Sequence, residues 1–254
     1  MFTAAYMGKS IIVVPCYNEA KRLRVDVFRD YLRTHPDTTF LFVDDGSKDA
    51  TLEVLNKLQA TVPDQIEVHP LPKNCGKAEA VRQGMLHAVK TRQSNYVGYW
   101  DADLATPLEA IDDLQGVLKD QPAIKIIMGS RVRLLGREIQ RKAIRHYLGR
   151  VFATFASMTL RLAVYDTQCG AKILRVTPQL EKILTDPFSS RWIFDVELIA
   201  RFSKTYPVPP VGDPEWIYEF PLYRWEDVEG SKLKSTDFLK AAMELLAIRS
   251  RYKL

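Results

Sequence analysis

Two aspartates that follow an apolar run are the residues of this chain best suited to do chemistry. Asp101 and Asp103 lie two positions apart in WDADLATP, directly after the run VGYW. Alternate residues at the end of a strand share one face, so both carboxylates can reach one small volume. Hard carboxylate oxygens are the ligands that Mg²⁺ or Mn²⁺ prefers, with water and phosphate oxygens completing the shell. The spacing therefore predicts a divalent metal, Mg²⁺ or Mn²⁺, held by Asp101 and Asp103, with a solvated turn as the simpler alternative.

The elements that must position this pair can be predicted from alternating apolar runs and helical spacing. The runs typical of buried strands are 11–14, 40–43, 66–69, 96–100 and 124–128. Helical spacing or helix-start signals occupy 18–32, 49–58, 76–90 and 107–119. This alternation predicts an α/β fold with a mostly parallel central sheet and helices on both faces. Ligand sites in such sheets lie beyond the carboxyl ends of the strands, where four polar motifs are expected to converge: 15–19, 44–47, 101–103 and 129–131.

The second half of the chain carries two amphipathic segments and a cluster of positive charge. Apolar residues recur every three or four positions from Ile144 to Leu162 and again within 237–252, which predicts two amphipathic helices. Seven Lys or Arg residues against one acid, Glu138, occupy 131–150, and a cationic helix is expected over 137–150. Nucleic acid, a phosphorylated lipid or an anionic membrane surface would each fit that charge. For the apolar faces, packing on the domain competes with membrane contact.

The composition limits the size and location of the protein. The chain has 254 residues, 46% of them apolar, which is enough for the core of one large domain. Its cysteines, Cys16, Cys75 and Cys169, show no CxxC spacing, which favours a reducing, cytoplasmic compartment. The N-terminus lacks the features of a signal peptide, and the best apolar run, 152–164, is too short to span a membrane. We therefore expect no transmembrane helix and a soluble or peripherally bound protein.

Motifs along nearly the whole chain resemble those of known sugar-transferring enzymes. Four strings in the first half resemble, in order and spacing, the motifs of family 2 glycosyltransferases: VVPCYNEA, FVDDGSKD, NCGKAEAVRQG and DADLATP. Four in the second half are similar to those of dolichyl-phosphate glucosyltransferases, with dolichyl-phosphate mannose synthases as near relatives: YDTQCGAKI, SRWIFDVELI, VEGSKL and MELLAIRSRY. The resemblance implies an inverting transfer of a sugar, with UDP-glucose as the expected donor and a polyprenyl phosphate as acceptor.

The resemblance also implies a domain plan. By this resemblance, residues 1–254 are expected to form a single nucleotide-binding domain of the GT-A type. Its first half, 9–131, is expected to bind the nucleotide sugar. Its second half, 132–254, is expected to bind the acceptor and to lie near the membrane.

The resemblance assigns donor-binding roles residue by residue. The positions that match the family's nucleoside site are Pro15, Tyr17, Glu19 and Asp45. A carboxylate at a strand end can accept hydrogen bonds from ribose hydroxyls or a base N–H, so the chemistry of Glu19 and Asp45 agrees. For Glu19, stabilisation of a helix start is the competing interpretation. Gly76 and Lys77 are candidates to lie near the nucleotide phosphates, with a solvated lysine as the alternative.

One position departs from the pattern of the mannose synthases. There, a glutamine two residues after the second aspartate also ligates the metal, whereas this chain has Ala105. Alanine has no oxygen to offer. Either Asp101 and Asp103 hold the metal with water and diphosphate alone, or another carboxylate supplies the missing ligand.

The acceptor phosphate is expected to need positioning more than activation. It is already an anion at neutral pH, so charge neutralisation matters more than a strong base. Arg131, in the string GSR, is the first candidate for that task because its planar fork suits a phosphate. Ser231 and Lys232 are candidates to clamp the donor diphosphate or the acceptor phosphate. The weaker candidates, each with a solvated helix face as alternative, are Arg133, Arg141 and Arg145.

Two acids in the second half are candidates for a catalytic role. Asp195 and Glu197 in WIFDVELI occupy the region where the broader family places a catalytic acidic residue. With an alcohol acceptor one of them would be the general base, whereas with a phosphate acceptor its role is orientation.

Three other readings of the sequence remain. The same donor chemistry can be directed at a soluble hydroxyl acceptor. A sugar-phosphate nucleotidyltransferase should open with a glycine-rich triphosphate loop, and VVPCYNEA contains no glycine. A nucleic-acid binding module would explain the basic segment but not DADLATP, so nucleic acid is not expected as a partner.

Overall fold

A computed structural model describes residues 8–91, 93–209, 212–228 and 235–254, and among these the side chains of all but residues 143, 145 and 235–239. The strands are β1 Ser10–Cys16, β2 Thr38–Asp44, β3 Ile66–Pro70, β4 Tyr96–Trp100, β5 Ile126–Ser130, β6 Glu138–Gln140, β7 Ala171–Arg175, β8 Ile217–Pro221 and β9 Arg224–Glu226. The helices are α1 Val25–Leu32, α2 Thr51–Thr61, α3 Lys77–Thr91, α4 Ala110–Asp120, α5 Ala143–Leu160, α6 Pro178–Thr185, α7 Phe194–Thr205 and α8 Ser235–Tyr252.

Seven strands form the central sheet in the order β3-β2-β1-β4-β7-β5-β8. Every neighbouring pair is parallel except those that involve β7, which runs antiparallel to both β4 and β5. The predicted mostly parallel α/β sheet is therefore confirmed. Strand β7 itself carries no alternating or continuous apolar signal long enough to have been predicted.

Hydrophobic residues fill both faces of the sheet. In β1, Ile11 and Val13 pack into one apolar cluster, and Ile12 and Val14 into the other. This double burial explains why the strand is a continuous apolar run. Helices α3, α6, α7 and α8 contribute to the first cluster, and α1, α2 and α4 to the second. Helices thus cover both faces, as predicted.

Two predicted helices begin six residues or more after the predicted position. Helix α1 starts at Val25 and not near Asn18, because Asn18 has a left-handed φ of 55°. The backbone N–H groups of Asn18 and Glu19 donate instead to the Ser47 and Thr51 hydroxyls. The cationic helix expected over 137–150 also begins only at Ala143.

The segment before α5 is a strand. Residues Glu138–Gln140 pair in parallel with Arg224–Glu226 in a separate two-stranded sheet. Arg137 and Arg141 therefore precede the helix. Helix α5 packs against α8, and no helix within the described ranges is both long and apolar enough to cross a bilayer.

Candidate active site

Three of the four polar motifs line one cavity of about 450 Å³ beyond the carboxyl ends of β1, β2 and β4. We call it the carboxylate cavity. Its acidic residues are Glu19, Asp45, Asp101 and Asp103, and its other lining residues include Pro15, Tyr17, Gly76 and Lys77. The sequence-predicted donor residues are thus brought together on one rim.

The turn after β4 fixes the aspartate pair. The Asp101 backbone N–H donates to the Gly170 carbonyl at 3.0 Å, and a side-chain carbon at Gly170 would overlap the Asp101 carboxylate. Glycine at that position is therefore what admits the carboxylate. Asp103 Oδ1 accepts the Ala105 N–H at 3.1 Å across a turn in which Leu104 has a φ of 54°.

Negative charge is crowded in the carboxylate cavity. Burial, and then the charge of Asp101, raises the pKa of Asp103. Burial likewise raises the pKa of Glu19, although Arg22 pairs with its Oε1 at 2.6 Å. Within the described part of the chain, Glu19 Oε2 is buried without a hydrogen-bond partner. A bound cation would relieve this repulsion, so the donor set fits a divalent metal.

Ala105 is buried at the end of this turn. Among the residues that the structure describes, no group of three or more His, Cys, Asp or Glu side chains is arranged to hold a metal ion. Both alternatives that Ala105 left open, a metal held by Asp101 and Asp103 with diphosphate and water alone or with a further carboxylate, stay predictions.

Lys77 supplies positive charge at the same place. Its Nζ lies 2.5 Å from Asp101 Oδ1. Burial opposes its charge, but Asp101 and Asp195 outweigh burial, and the pKa of Lys77 is raised. Lys77 is the first residue of α3, so the helix position predicted for it is confirmed to within one residue.

Asp45 holds the loop that leads to Lys77. Its two carboxylate oxygens accept the backbone N–H groups of Cys75 at 2.7 Å and Gly76 at 2.8 Å. Gly76 has a φ of 92°, a conformation that favours glycine. The structure thus gives Asp45 a positioning role that the sequence did not indicate, while its contact with a nucleoside stays a prediction.

A second cavity, of about 590 Å³, adjoins the first and shares Gly76 and Lys77 with it. We call it the cationic cavity, and α5, α7 and α8 contribute to its wall. Its apolar residues include Leu148, Phe152, Trp192 and Phe194. Its other cations are Arg131, Arg141, Arg150, Arg191 and Lys240.

Arg131 lines the cationic cavity but already forms an ion pair with another residue, Asp166. Its Nε and Nη2 donate to the two carboxylate oxygens of Asp166 at 2.6 and 2.7 Å, and its backbone N–H donates to the same carboxylate. Burial opposes ionisation of Asp166, yet Arg131 outweighs it and holds the pKa of Asp166 at about 2. Arg131 therefore has a built-in counter-ion, which its sequence motif did not indicate.

Asp195 lies in the wall of the cationic cavity, in a buried ion pair. Lys172 Nζ is 2.7 Å from Asp195 Oδ1, and the Tyr99 hydroxyl donates to the same oxygen. Lys172 is fully buried and also donates to the carbonyls of Thr167 and Cys169. Sequence reasoning missed Lys172, although a lysine inside the apolar run AKIL is a signal that a buried partner exists.

Glu197 does not reach either cavity, so its expected catalytic role is not supported by its position. The side chain is fully buried. Its carboxylate accepts hydrogen bonds from Ser189, Ser190, Arg201 and Tyr252. Two residues along α7 turn by about 200°, so Asp195 and Glu197 face opposite sides of the helix. Glu197 ties the start of α7 to α8.

Three further candidates lie wholly or partly beyond what the structure describes. Ser231 and Lys232 fall outside the described residues. Arg145 belongs to α5, but its side chain is outside the description.

Comparisons with known proteins show the family of this chain. Residues 11–179 match the family described as Glycosyl transferase family 2. A human dolichyl-phosphate beta-glucosyltransferase is 34% identical over 95% of this chain and 75% of its own length. A dolichyl-phosphate beta-glucosyltransferase of Trichomonas vaginalis is 31% identical over 93% of this chain and 69% of its own length.

Solved structures show the same fold. Glucosyl-3-phosphoglycerate synthase from Mycobacterium tuberculosis, crystallised with Mn²⁺ and UDP-glucose, superposes with a TM-score of 0.65 and 16% identity over 97% of this chain and 80% of that one. Mannosyl-3-phosphoglycerate synthase from Rubrobacter xylanophilus gives 0.64 and 13%, over 96% and 73%. These likenesses show the fold, the expected GT-A type. With the family match covering more than half of its length, this chain belongs to family 2 of the glycosyltransferases.

Proposed function

We propose that the enzyme transfers glucose from UDP-glucose to a polyprenyl phosphate of the dolichyl type, with inversion and with Mg²⁺ or Mn²⁺ at Asp101 and Asp103. The observation that carries the proposal is the pair of adjoining cavities, one acidic and one cationic with apolar walls, that share Gly76 and Lys77. The names of the relatives from human and Trichomonas vaginalis support the sugar and the acceptor.

The carboxylate cavity is the proposed donor site. Pro15, Tyr17, Glu19 and Asp45 would hold the nucleoside, and Asp101 and Asp103 would hold the metal. When bound, the divalent cation would neutralise the leaving diphosphate. Lys77, at the boundary between the cavities, would add a second positive charge beside the same phosphates.

The cationic cavity is the proposed acceptor site. Apolar walls and a cluster of cations suit an amphiphile that carries a phosphate, and a phosphate attacks without a strong base. Asp195 is paired with Lys172 and accepts a hydrogen bond from the Tyr99 hydroxyl on the same carboxylate oxygen, so that oxygen already has two partners. This pairing favours a phosphate over the alternative hydroxyl acceptor, because a hydroxyl would need a base. One-step attack by the phosphate would invert the sugar carbon.

The two cavities also support the proposed division of a single domain. All residues that line the carboxylate cavity fall between Pro15 and Asp103. Apart from Gly76 and Lys77, those that line the cationic cavity fall between Arg131 and Glu244. The donor half would thus be 9–131 and the acceptor half 132–254.

Direct assay tests the proposal. Radiolabelled UDP-glucose and GDP-mannose are each incubated with a polyprenyl phosphate, and the product is extracted into organic solvent. We expect label from UDP-glucose in the organic phase with Mn²⁺ or Mg²⁺, and none with EDTA. A strong preference for GDP-mannose would overturn the donor. Label transferred only to water-soluble hydroxyl acceptors would overturn the lipid acceptor.

We also propose that α5 brings the enzyme to an anionic membrane surface on the cytoplasmic side. The exposed apolar residues of α5 include Ile144, Tyr147, Val151, Phe155 and Met158. Exposed cations flank its start, among them Arg133 and Lys142. A basic residue near such a surface contributes about 1 kcal/mol. The three cysteines are free, which suits a reducing compartment.

We expect the protein to float with anionic vesicles at low salt and to be released by high salt, because the attraction is screened over about 8 Å at physiological ionic strength. The double substitution Val151→Asp and Phe155→Asp should abolish flotation while sparing turnover of a short, water-soluble prenyl phosphate. Val208→Asp, at an exposed apolar residue in the loop after α7, is the control. Absence of binding at low salt would contradict the membrane partner.

A further inference from the structure

Most cations of the cationic cavity already have a partner or are exposed to solvent. Arg131 is paired with Asp166, and Lys77 with Asp101. Arg150 donates to the Tyr165 carbonyl and lies over its ring at 3.5 Å. Two others are exposed to solvent: Arg191 and Lys240. The remaining cation among those that line the cavity is Arg141.

Arg141 is half-buried in the cavity wall, in the loop between β6 and α5. Within the described ranges it makes neither an ion pair nor a hydrogen bond. Burial, and then the charge of Arg131, lowers the pKa of Arg141, and together they outweigh the opposing charges of Asp166 and Asp227. A partly desolvated guanidinium of this kind is stabilised by an anionic ligand, and its planar fork matches a phosphate.

The side chain of Arg141 packs against Gly149 of α5. A side-chain carbon at Gly149 would lie 2.6 Å from Arg141 Nη2 and 3.1 Å from Cζ. The guanidinium therefore lies against helix backbone that only glycine leaves bare. Glycine costs a helix interior stability, and the contact with Arg141 gives a reason for its presence at this position.

We propose that Arg141, seated on Gly149, binds the phosphate of the acceptor, while the Arg131–Asp166 pair forms the fixed wall behind it. The inference deepens the proposed function and depends on its phosphate acceptor. It also reverses the order that the sequence favoured, in which Arg131 came first and Arg141 was a weaker candidate. A hydroxyl acceptor would gain little from Arg141, so this residue would select phosphate acceptors.

The sharpest test displaces Arg141 without removing its charge. In Gly149→Ala the new methyl group must push the flexible guanidinium aside, while the better helix propensity of alanine should maintain or raise the melting temperature. We expect KM for a short, water-soluble prenyl phosphate to rise on the order of tenfold, with KM for UDP-glucose unchanged. Gly116→Ala in α4 is the matched control, because its added carbon meets nothing within 4 Å.

A second variant removes the charge itself. Arg141→Gln should raise KM for the prenyl phosphate by on the order of ten- to hundredfold, the range of a charge-assisted hydrogen bond. With Arg141→Lys we expect a smaller rise in the KM for the prenyl phosphate. Lys142→Gln makes the same charge change at the adjacent exposed residue and should keep the parental KM. The affinity for the prenyl phosphate without donor, measured by calorimetry, should rank these variants in the same order as KM does.

The outcomes separate this inference from the proposed function. If the parent enzyme neither binds nor glucosylates the prenyl phosphate, the proposed function fails. If the parent does both, and Arg141→Gln keeps its acceptor KM within twofold, the role of Arg141 is overturned and the proposed function stands. If Gly149→Ala lowers the melting temperature, the three substitutions at Arg141 and Lys142 still test whether Arg141 binds the acceptor phosphate.

Discussion

Asp103→Asn is expected to abolish sugar transfer while the protein stays folded. Asparagine keeps the size of the side chain and the oxygen that accepts the Ala105 N–H. It removes one of the two charges proposed to hold the metal. We expect kcat to fall by a factor on the order of 10² to 10³ or more, the range seen when one electrostatic contact to a developing charge is lost. Initial rates at saturating Mn²⁺ or Mg²⁺ measure this effect.

Thermal melting separates the metal role from damage to the fold. Asp101 and Asp103 repel each other, so without metal the melting temperature of Asp103→Asn should equal or exceed that of the parent. With metal and UDP, the parent should gain stability and the variant should not. Asp120→Asn, at the exposed end of α4, is the matched control. Near-parental turnover at saturating metal would contradict the role of Asp103.

The carboxylate of Asp103 also determines how the affinity for metal should change with pH. Because the pKa of Asp103 is raised, protons compete with the metal at higher pH than at an ordinary aspartate. The affinity of the parent for metal should therefore fall as the pH is lowered through this raised pKa. In Asp103→Asn that part of the dependence should disappear.

The rim of the sheet could be predicted because its signals are local. Continuous apolar runs mark β1, β2 and β4, and each predicted strand lies within two residues of the observed one. The carboxyl ends of parallel strands meet at one edge, so Glu19, Asp45 and the aspartate pair had to lie close together.

The features that sequence reasoning missed depend on pairing between distant residues. Strand β7 inserts antiparallel beside β4 and brings Gly170 against Asp101. Nothing local in the sequence indicates that neighbour. Arg131 likewise meets Asp166 across 35 positions, so its motif reveals a phosphate-binding residue type without revealing that the charge is already paired.

The two acids of α7 carried a usable local signal. Asp195 and Glu197 stand two apart on a helix, and helical periodicity places such residues on different faces. Only one of them could have faced the cavity.

The cations of the basic cluster, in contrast, could not be sorted from the sequence into those that line a cavity and those that face water. Whether a cation lines a cavity, as Arg141 does, or faces water, as Lys142 does, depends on the strand β6 that interrupts the expected helix.

The second large effect is expected on stability, at the ion pair beneath the cationic cavity. Lys172→Met leaves Asp195 buried and charged without its partner, and it leaves the Thr167 and Cys169 carbonyls without their donor. Breaking a buried pair in this way typically costs about 3–5 kcal/mol. We expect the free energy of unfolding, measured by urea denaturation, to fall by about that amount.

The double substitution Lys172→Met with Asp195→Asn distinguishes structure from function. It removes the buried charge together with its partner, so it should recover much of the stability lost in Lys172→Met, a clear departure from additivity. Transfer activity should stay low, because Asp195 also supports the charge of Lys77 between the two cavities. Recovery of turnover together with stability would show that the pair only holds the fold. Strict additivity of the two single substitutions would show instead that Lys172 and Asp195 do not interact energetically.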